Sequence, residues 1–300
     1  MAYPLTSICV RLTIRWAHSA AMRPMAAHHP IPKGTYICDM VRWGVCVAFW
    51  LVGVSCRREA SPVPNYTFDY RLGEGVEAEE TFPPGRVLFL DGFETPDSVV
   101  QRLRAQGVEV VGYISVGTWE AWRPDTGLLP PALRGRPYPD WPGEYFVDLR
   151  DTAGLAPWIR QRLDMLKAKG FTGVDPDNID IYAMETGFPL STQDVIRFVR
   201  WLAAEAHARG LRIGQKNAPE LVDSLVESLD FVVTESAFAR GEASAYQAYR
   251  TKGRPVFAVE YTDEMSTPTF KARVCPQARA LGYAAILKKR ELDRWRVSCP

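Results

Sequence analysis

From about residue 65 the chain alternates two patterns: short apolar, β-branched runs, and longer stretches whose apolar positions return every three to four residues. The first suits strands buried on both faces, the second amphipathic helices. Strand candidates span residues 67–71, 87–91, 110–115, 173–175, 212–216, 231–235, 256–260 and 284–287. Helical stretches span 96–106, 155–169, 192–209, 219–228, 243–252 and 268–280. Gly107, Gly170, Gly210, Gly253 and Gly282 each follow such a stretch, where glycine serves as a left-handed stop. The alternation predicts a parallel α/β fold. Eight strands in about 235 residues fit a (β/α)8 TIM barrel over 65–300, with a doubly wound open sheet as the alternative.

One insertion breaks the rhythm. Residues 117–144 are rich in Pro, Gly and Trp, and an extra strand candidate follows at 145–150. A long loop in a compact domain is more often functional than idle. This one follows the third strand, so in a barrel it lies over the C-terminal face, where active sites sit. Trp119, Trp122 and Trp141 offer stacking surfaces for sugar rings, or a hydrophobic cluster that pins the loop.

The N-terminal segment reads differently. Residues 1–39 have no steady apolar period and are expected to be a non-native extension, with Met40 as the true start. A short basic start (Met40, Val41, Arg42), the apolar run 43–54 and small residues up to Cys56 describe a signal peptide over 40–56. The run falls short of the roughly 20 residues a spanning helix needs. Cys56 resembles the lipid-modified cysteine of bacterial lipoproteins, although Gly53 stands where a large aliphatic residue is usual. Residues 57–64 form a linker. The expectation is an exported protein: a cell-surface or periplasmic lipoprotein with a lipid anchor to the membrane, or a secreted one. Cys9, Cys38 and Cys46 precede or lie within the signal, so export leaves Cys275 and Cys299 as an even pair. In an oxidising compartment such a pair forms a disulfide; two free thiols are the alternative.

Composition narrows the chemistry. The 36 basic and 35 acidic residues balance, without the excess positive charge that marks a nucleic-acid partner. Three of the four histidines, His18, His28 and His29, precede the expected domain. His207 lies near the end of a helical stretch, where a cation is mildly favoured. Ser-His-Asp triads, Cys-His pairs and His-rich zinc sites need more histidine than this, so any catalysis rests on carboxylates, lysine or tyrosine.

Carboxylates gather where a barrel needs them. The second strand candidate ends at Asp91, the fourth runs into Asp175, Asp177, Asn178 and Asp180, the sixth ends at Glu235 and the seventh at Glu260 with Tyr261. The fifth ends in Lys216 and Asn217. One carboxylate at a strand end is commonly a helix cap; four strands ending so exceed what capping alone explains. Two carboxylates across a glycosidic bond suffice for its hydrolysis, one protonating the leaving oxygen and the other attacking or activating water. Oxygen ligands for Mg²⁺ or Ca²⁺ are a competing use, and Lys216 raises a Schiff-base alternative.

The segments Tyr113 to Asp125 (YISVGTWEAWRPD), Gly173 to Asn178 (GVDPDN), Thr186 to Pro189 (TGFP) and Lys216-Asn217 resemble glycoside hydrolase family 114, the endo-α-1,4-polygalactosaminidase-like barrels. The resemblance covers the chain from about Asn65 to Cys299. It implies a retaining endo-glycosidase acting on galactosamine-containing exopolysaccharide, with no cofactor and no metal site. Its two proposed acids fall on Asp177 as nucleophile and Glu235 as acid/base. Asp91, Tyr113, Trp119, Trp122, Asp175, Asn178, Lys216, Asn217, Glu260 and Tyr261 are then expected to contact substrate. Three departures bear on substrate identity: Asp175 where the family usually has Glu, Thr234 where it has Asn, and Asp91-Gly-Phe-Glu94 in place of Asp-Leu-Phe-Asp. They motivate an alternative, a non-catalytic carbohydrate-binding lipoprotein on a hydrolase-like barrel.

Overall fold

The computed structural model describes residues 66–139 and 141–300. The expected extension, signal peptide, Cys56 anchor and linker lie outside the described residues. In chain order the main elements are β1 (Phe68–Arg71), β2 (Val87–Asp91), α1 (Asp97–Ala105), β3 (Glu109–Ser115), β4 (Thr118–Glu120), β5 (Arg134–Pro137) and β6 (Glu144–Val147). Then come α2 (Thr152–Lys169), β7 (Gly173–Asp177), α3 (Thr192–Ala208), β8 (Arg212–Lys216), α4 (Val222–Leu225), β9 (Phe231–Glu235), α5 (Gln247–Thr251) and β10 (Val256–Tyr261). The chain closes with α6 (Thr267–Thr269), α7 (Cys275–Leu281), β11 (Ala284–Lys288) and β12 (Val297–Ser298).

Eight parallel strands run in the order β1-β2-β3-β7-β8-β9-β10-β11 and curl into a TIM-barrel sheet, and β12 adds antiparallel to β11. A buried ion cluster joins the two edges: Lys288 of β11 lies 3.2 Å from Asp69 of β1, which also binds Arg71 at 2.7 Å and Arg296 at 2.5 Å. Cys275 and Cys299 are joined as a disulfide that ties α7 to the segment after β12.

Successive strand residues point to opposite faces, and the sequence uses this to build two cores. Outward residues such as Leu88, Leu90, Val110, Ile114 and Val174 pack under Leu163 and Leu166 of α2 and Phe198 and Leu202 of α3. Inward residues form a separate cluster in which Phe68, Phe89, Phe231 and Phe257 meet at centroid distances of 5.0–6.1 Å. This aromatic plug fills the N-terminal half of the barrel. The inward positions above it are polar: Tyr70, Tyr113, Asp175, Asp177, Lys216, Glu235 and Tyr261.

The long helices carry local start and stop signals. Ser191 and Asp194 make a reciprocal capping box on α3, and α2 begins at Asp151 and stops at Gly170 with φ 99°, as cap and left-handed stop require. Three expected helices are broken; stretch 243–252 is a 3₁₀ turn, Ala243–Tyr246, followed by the short α5. Stretch 219–228 is a 3₁₀ turn and the one-turn α4, and 268–280 runs from α6 through a π-helical segment, Phe270–Val274, into α7.

The insertion is an antiparallel sheet of order β4-β6-β5. The extra strand is Glu144–Val147, ending three positions before the expected Arg150, whose amide and guanidinium donate to the Asp148 carboxylate. Buried charges anchor the insertion to the barrel: Arg123 binds Asp91 at 2.8 Å and Glu120 at 2.9 Å, and Arg162 of α2 binds Asp125 at 2.7 Å.

Candidate active site

Three neighbouring strands leave the barrel in the same way. Asp177, Lys216 and Glu235 end β7, β8 and β9, and the residues directly after them, Asn178, Asn217 and Ser236, have φ of 63°, 46° and 62°. Non-glycine residues in this left-handed region cost about 1–3 kcal/mol each, and such strain clusters at functional sites. Asn217 offsets part of it by accepting a hydrogen bond from the Glu235 amide at 2.8 Å. Gly117 is needed for a different reason: a Cβ there would stand 1.8 Å from the Asn178 carbonyl oxygen.

The side chains converge on one buried ammonium. Lys216 Nζ lies 3.0 Å from Glu235 Oε2, 3.5 Å from Asp177 Oδ1 and 3.6 Å from Asp175 Oδ2. It donates to Tyr70 Oη at 2.6 Å, and Tyr70 in turn donates to Asp175 Oδ2 at 2.8 Å. Tyr113 donates to Asp177 at 2.7 Å, and Tyr261 donates to Glu235. Arg290 stacks over the Tyr261 ring at 3.7 Å. Lys216 and Asp175 are buried, whereas the Asp177 and Glu235 side chains keep 23% and 24% of their surface in solvent. These two acids are therefore the members of the cluster open to solvent. Among the described residues no three His, Cys, Asp or Glu side chains group to hold a metal ion.

Burial sets the electrostatics. It opposes the charge of Lys216, but Asp175, Asp177 and Glu235 outweigh it and hold the ammonium well above the usual lysine range. Burial raises Asp175 to about 6 against the pull of Lys216, and raises Asp180 to about 6 with help from Asp177. It also lifts Glu144 of β6 to about 7, although Thr118 donates to that carboxyl.

A family model for glycoside-hydrolase family GH114 matches residues 54–300. The chain belongs to that family. This GH114 chain is accordingly a glycoside hydrolase. It is 30% identical over 230 residues to an uncharacterised protein of Deinococcus radiodurans, covering 70% of this chain and 73% of that one. Ega3 of Aspergillus fumigatus, solved in complex with galactosamine, superposes with a TM-score of 0.73 at 29% identity, covering 81% of this chain and 98% of that one. The glycoside hydrolase domain of PelA from Pseudomonas aeruginosa shares the fold, with a TM-score of 0.56 at 19% identity and coverage of 78% and 97%.

Within this GH114 barrel the expected site residues divide. Asp177, Glu235, Tyr113, Lys216 and Tyr261 come together. Asp175 lies beneath them, fully buried, and cannot touch substrate as expected. Glu260 is not part of the site: it precedes inward Tyr261, so it points outward and accepts from the Phe238 and Ala239 amides at 2.9 and 3.1 Å. Asp91 accepts from the Phe93 and Glu94 amides at 2.8 Å and pairs with Arg123, which commits its oxygens to structure. Asn178 and Asn217 shape the strand exits, Asn178 accepting from Ser115 at 3.2 Å. Trp119 is covered: Arg134 stacks on its ring at 4.7 Å and its indole donates to the Thr126 carbonyl. Trp122 and Trp141 remain 51% and 60% exposed.

The sequence reading missed Tyr70, Glu144 and Asp180 as site residues. Tyr70 had a signal, since strict alternation in β1 places it inward beside Phe68. Asp180 stands within the acidic run that follows the fourth strand. Glu144 had none, because its approach to Asp177 depends on how the insertion folds back.

Proposed function

We propose that this GH114 chain is an exported, retaining endo-glycosidase that cleaves α-1,4-linked galactosamine-containing polysaccharide, with Asp177 as nucleophile and Glu235 as acid/base. The observation that carries this is the solvent-reached acid pair around Lys216. One oxygen of each lies 3.5 and 3.0 Å from the same nitrogen, so the two oxygens are separated by at most the sum of those distances, 6.5 Å. Retaining pairs stand about 5–5.5 Å apart, and inverting pairs about 6.5–9.5 Å, to admit a water between sugar and base. The bound accommodates the retaining spacing, and with it direct attack by Asp177.

Asp177 attacks the anomeric carbon while Glu235 protonates the departing oxygen; water, deprotonated by Glu235, then releases the sugar from Asp177. The substrate class is supported by the galactosamine bound to Ega3. The rim adds to it: Asp177 and Glu235 keep part of their surface in solvent above the buried Lys216, and negative charge there draws cationic sugars. Exposed Trp122 and Trp141 are the aromatic faces left for more distant sugar units.

The test uses defined α-1,4-galactosamine oligomers and proton NMR of the first product. Retention predicts the α-anomer. Asp177→Asn and Glu235→Gln should each lose at least about 100-fold in turnover. A β-anomer, full activity in either variant, or binding without any product would refute the proposal.

A further inference from the structure

The role expected of Lys216, contact with substrate, does not suit its surroundings. Its side chain is 2% exposed, and its nitrogen faces the Tyr70 oxygen, Glu235 and Asp177 at 2.6, 3.0 and 3.5 Å. Of the ammonium's three donors, one goes to Tyr70, and the Glu235 and Asp177 oxygens stand beside it as ion-pair partners. Behind them Asp175 accepts from Tyr70 and leaves its other oxygen without a partner. Tyr70 is fully buried and comes from β1, at the far side of the sequence. A charged lysine sealed between two solvent-reached acids, and braced from below, is an expensive arrangement unless both acids need it.

We infer that Lys216 is a positioning residue, a counter-ion shared by Asp177 and Glu235 and held by Tyr70 and Asp175, which neutralises whichever acid is charged at each stage of turnover. The inference rests on the roles proposed above for the two acids. In the first half-reaction the glycosidic C1–O bond breaks, a bond forms between C1 and an Asp177 oxygen, and the Glu235 proton passes to the leaving oxygen. Asp177 becomes a neutral ester and Glu235 a carboxylate. In the second, a water oxygen bonds to C1, its proton goes to Glu235, and Asp177 leaves as a carboxylate. One negative charge thus moves from one acid to the other and back. Lys216 lies within 3.5 Å of both, so it offsets that charge throughout without leaving its seat on Tyr70. A fixed charge that needs no rearrangement as the reaction proceeds is the efficient form of electrostatic catalysis.

The groups facing this ammonium are Tyr70, Tyr113, Asp175, Asp177 and Glu235, with Asp180 beside Asp177, Glu144 across from it, and Tyr261 under Arg290 beside Glu235. Burial, then the neighbouring carboxylates, pushes Tyr70, Tyr113 and Tyr261 well above the usual phenol range. These tyrosines stay neutral, and Lys216 is the cation that touches both acids.

Lys216→Met should lower kcat on the order of 100-fold with little change in KM. The bell-shaped pH profile of kcat/KM should move, because a cation that touches both acids is removed. Lys216→Arg should restore part of the activity, and Tyr70→Phe should shift the profile in the same direction by less. If Lys216→Met does not fold, as judged by circular dichroism, Tyr70→Phe decides on the same readout. A rise in KM with the pH profile unmoved would make Lys216 a substrate contact and overturn the inference, as would wild-type profiles in both variants. If Asp177→Asn or Glu235→Gln were active, the roles of the acids would fail. If both were inactive while Lys216→Met kept the wild-type profile, only the inference would.

Discussion

Arg162 is the side chain whose loss should be felt farthest from its own position. It reaches from α2 into the base of the insertion, 1% exposed, and binds Asp125 at 2.7 and 3.1 Å, the Ser115 carbonyl at 2.6 Å and Glu120 at 3.3 Å. Its guanidinium also stacks on Trp158 at 4.1 Å and Phe93 at 5.0 Å. With Arg123 it sets two positive charges against Asp91, Glu120 and Asp125 in a buried network. Arg162→Met keeps much of the volume but leaves Asp125 without a cation. Removing one partner of a buried pair costs about 3–5 kcal/mol, most of it from the stranded charge. For a domain of this size, about 2–4 °C per kcal/mol converts that to a fall in Tm of about 6–20 °C. Urea unfolding followed by tryptophan fluorescence would measure it. Adding Asp125→Asn should recover a substantial part, since it removes the stranded charge. A loss below about 1 kcal/mol in the single variant, or no recovery in the double, would refute the view that these charges are held as one network.

Gly117→Ala should leave the barrel folded but reduce turnover at least about tenfold, because its Cβ must displace the Asn178 carbonyl, next to Asp177; wild-type kinetics would show that the strand exit tolerates movement. Burial raises Glu260 to about 7 from 4.5 despite its two backbone hydrogen bonds. The native state therefore holds a proton that the unfolded chain has released. Stability falls as pH rises from about 4.5 to about 7 and then levels, by up to about 3 kcal/mol for this group. Glu260→Gln should flatten that slope in urea titrations between pH 4.5 and 8; an unchanged slope would count against it.

Much of the fold was written in one-dimensional pattern. Strands buried on both faces must be apolar throughout, so they announce themselves, and capping boxes and left-handed glycines mark helix ends locally. The fractured helices at 219–228, 243–252 and 268–280 were not legible, since their 3₁₀ and π turns answer to packing against neighbours.

The site follows the same division. Sequence alone determined that acids crowd the strand ends and that histidine chemistry is scarce, because residue type and strand position are local facts. Strand-end position alone left Asp91, Asp175, Asp177, Glu235 and Glu260 looking alike, and only the resemblance to the family singled out Asp177 and Glu235. Tertiary structure separated them by direction and depth: Glu260 outward, Asp91 tied to Arg123, Asp175 sealed below, Asp177 and Glu235 at the rim. Only the curling of the sheet brings Tyr70 of the first strand to Lys216 of the fifth parallel strand, 146 residues later. The energy of a buried charge depends on every neighbour in three dimensions, and no stretch of chain contains those neighbours.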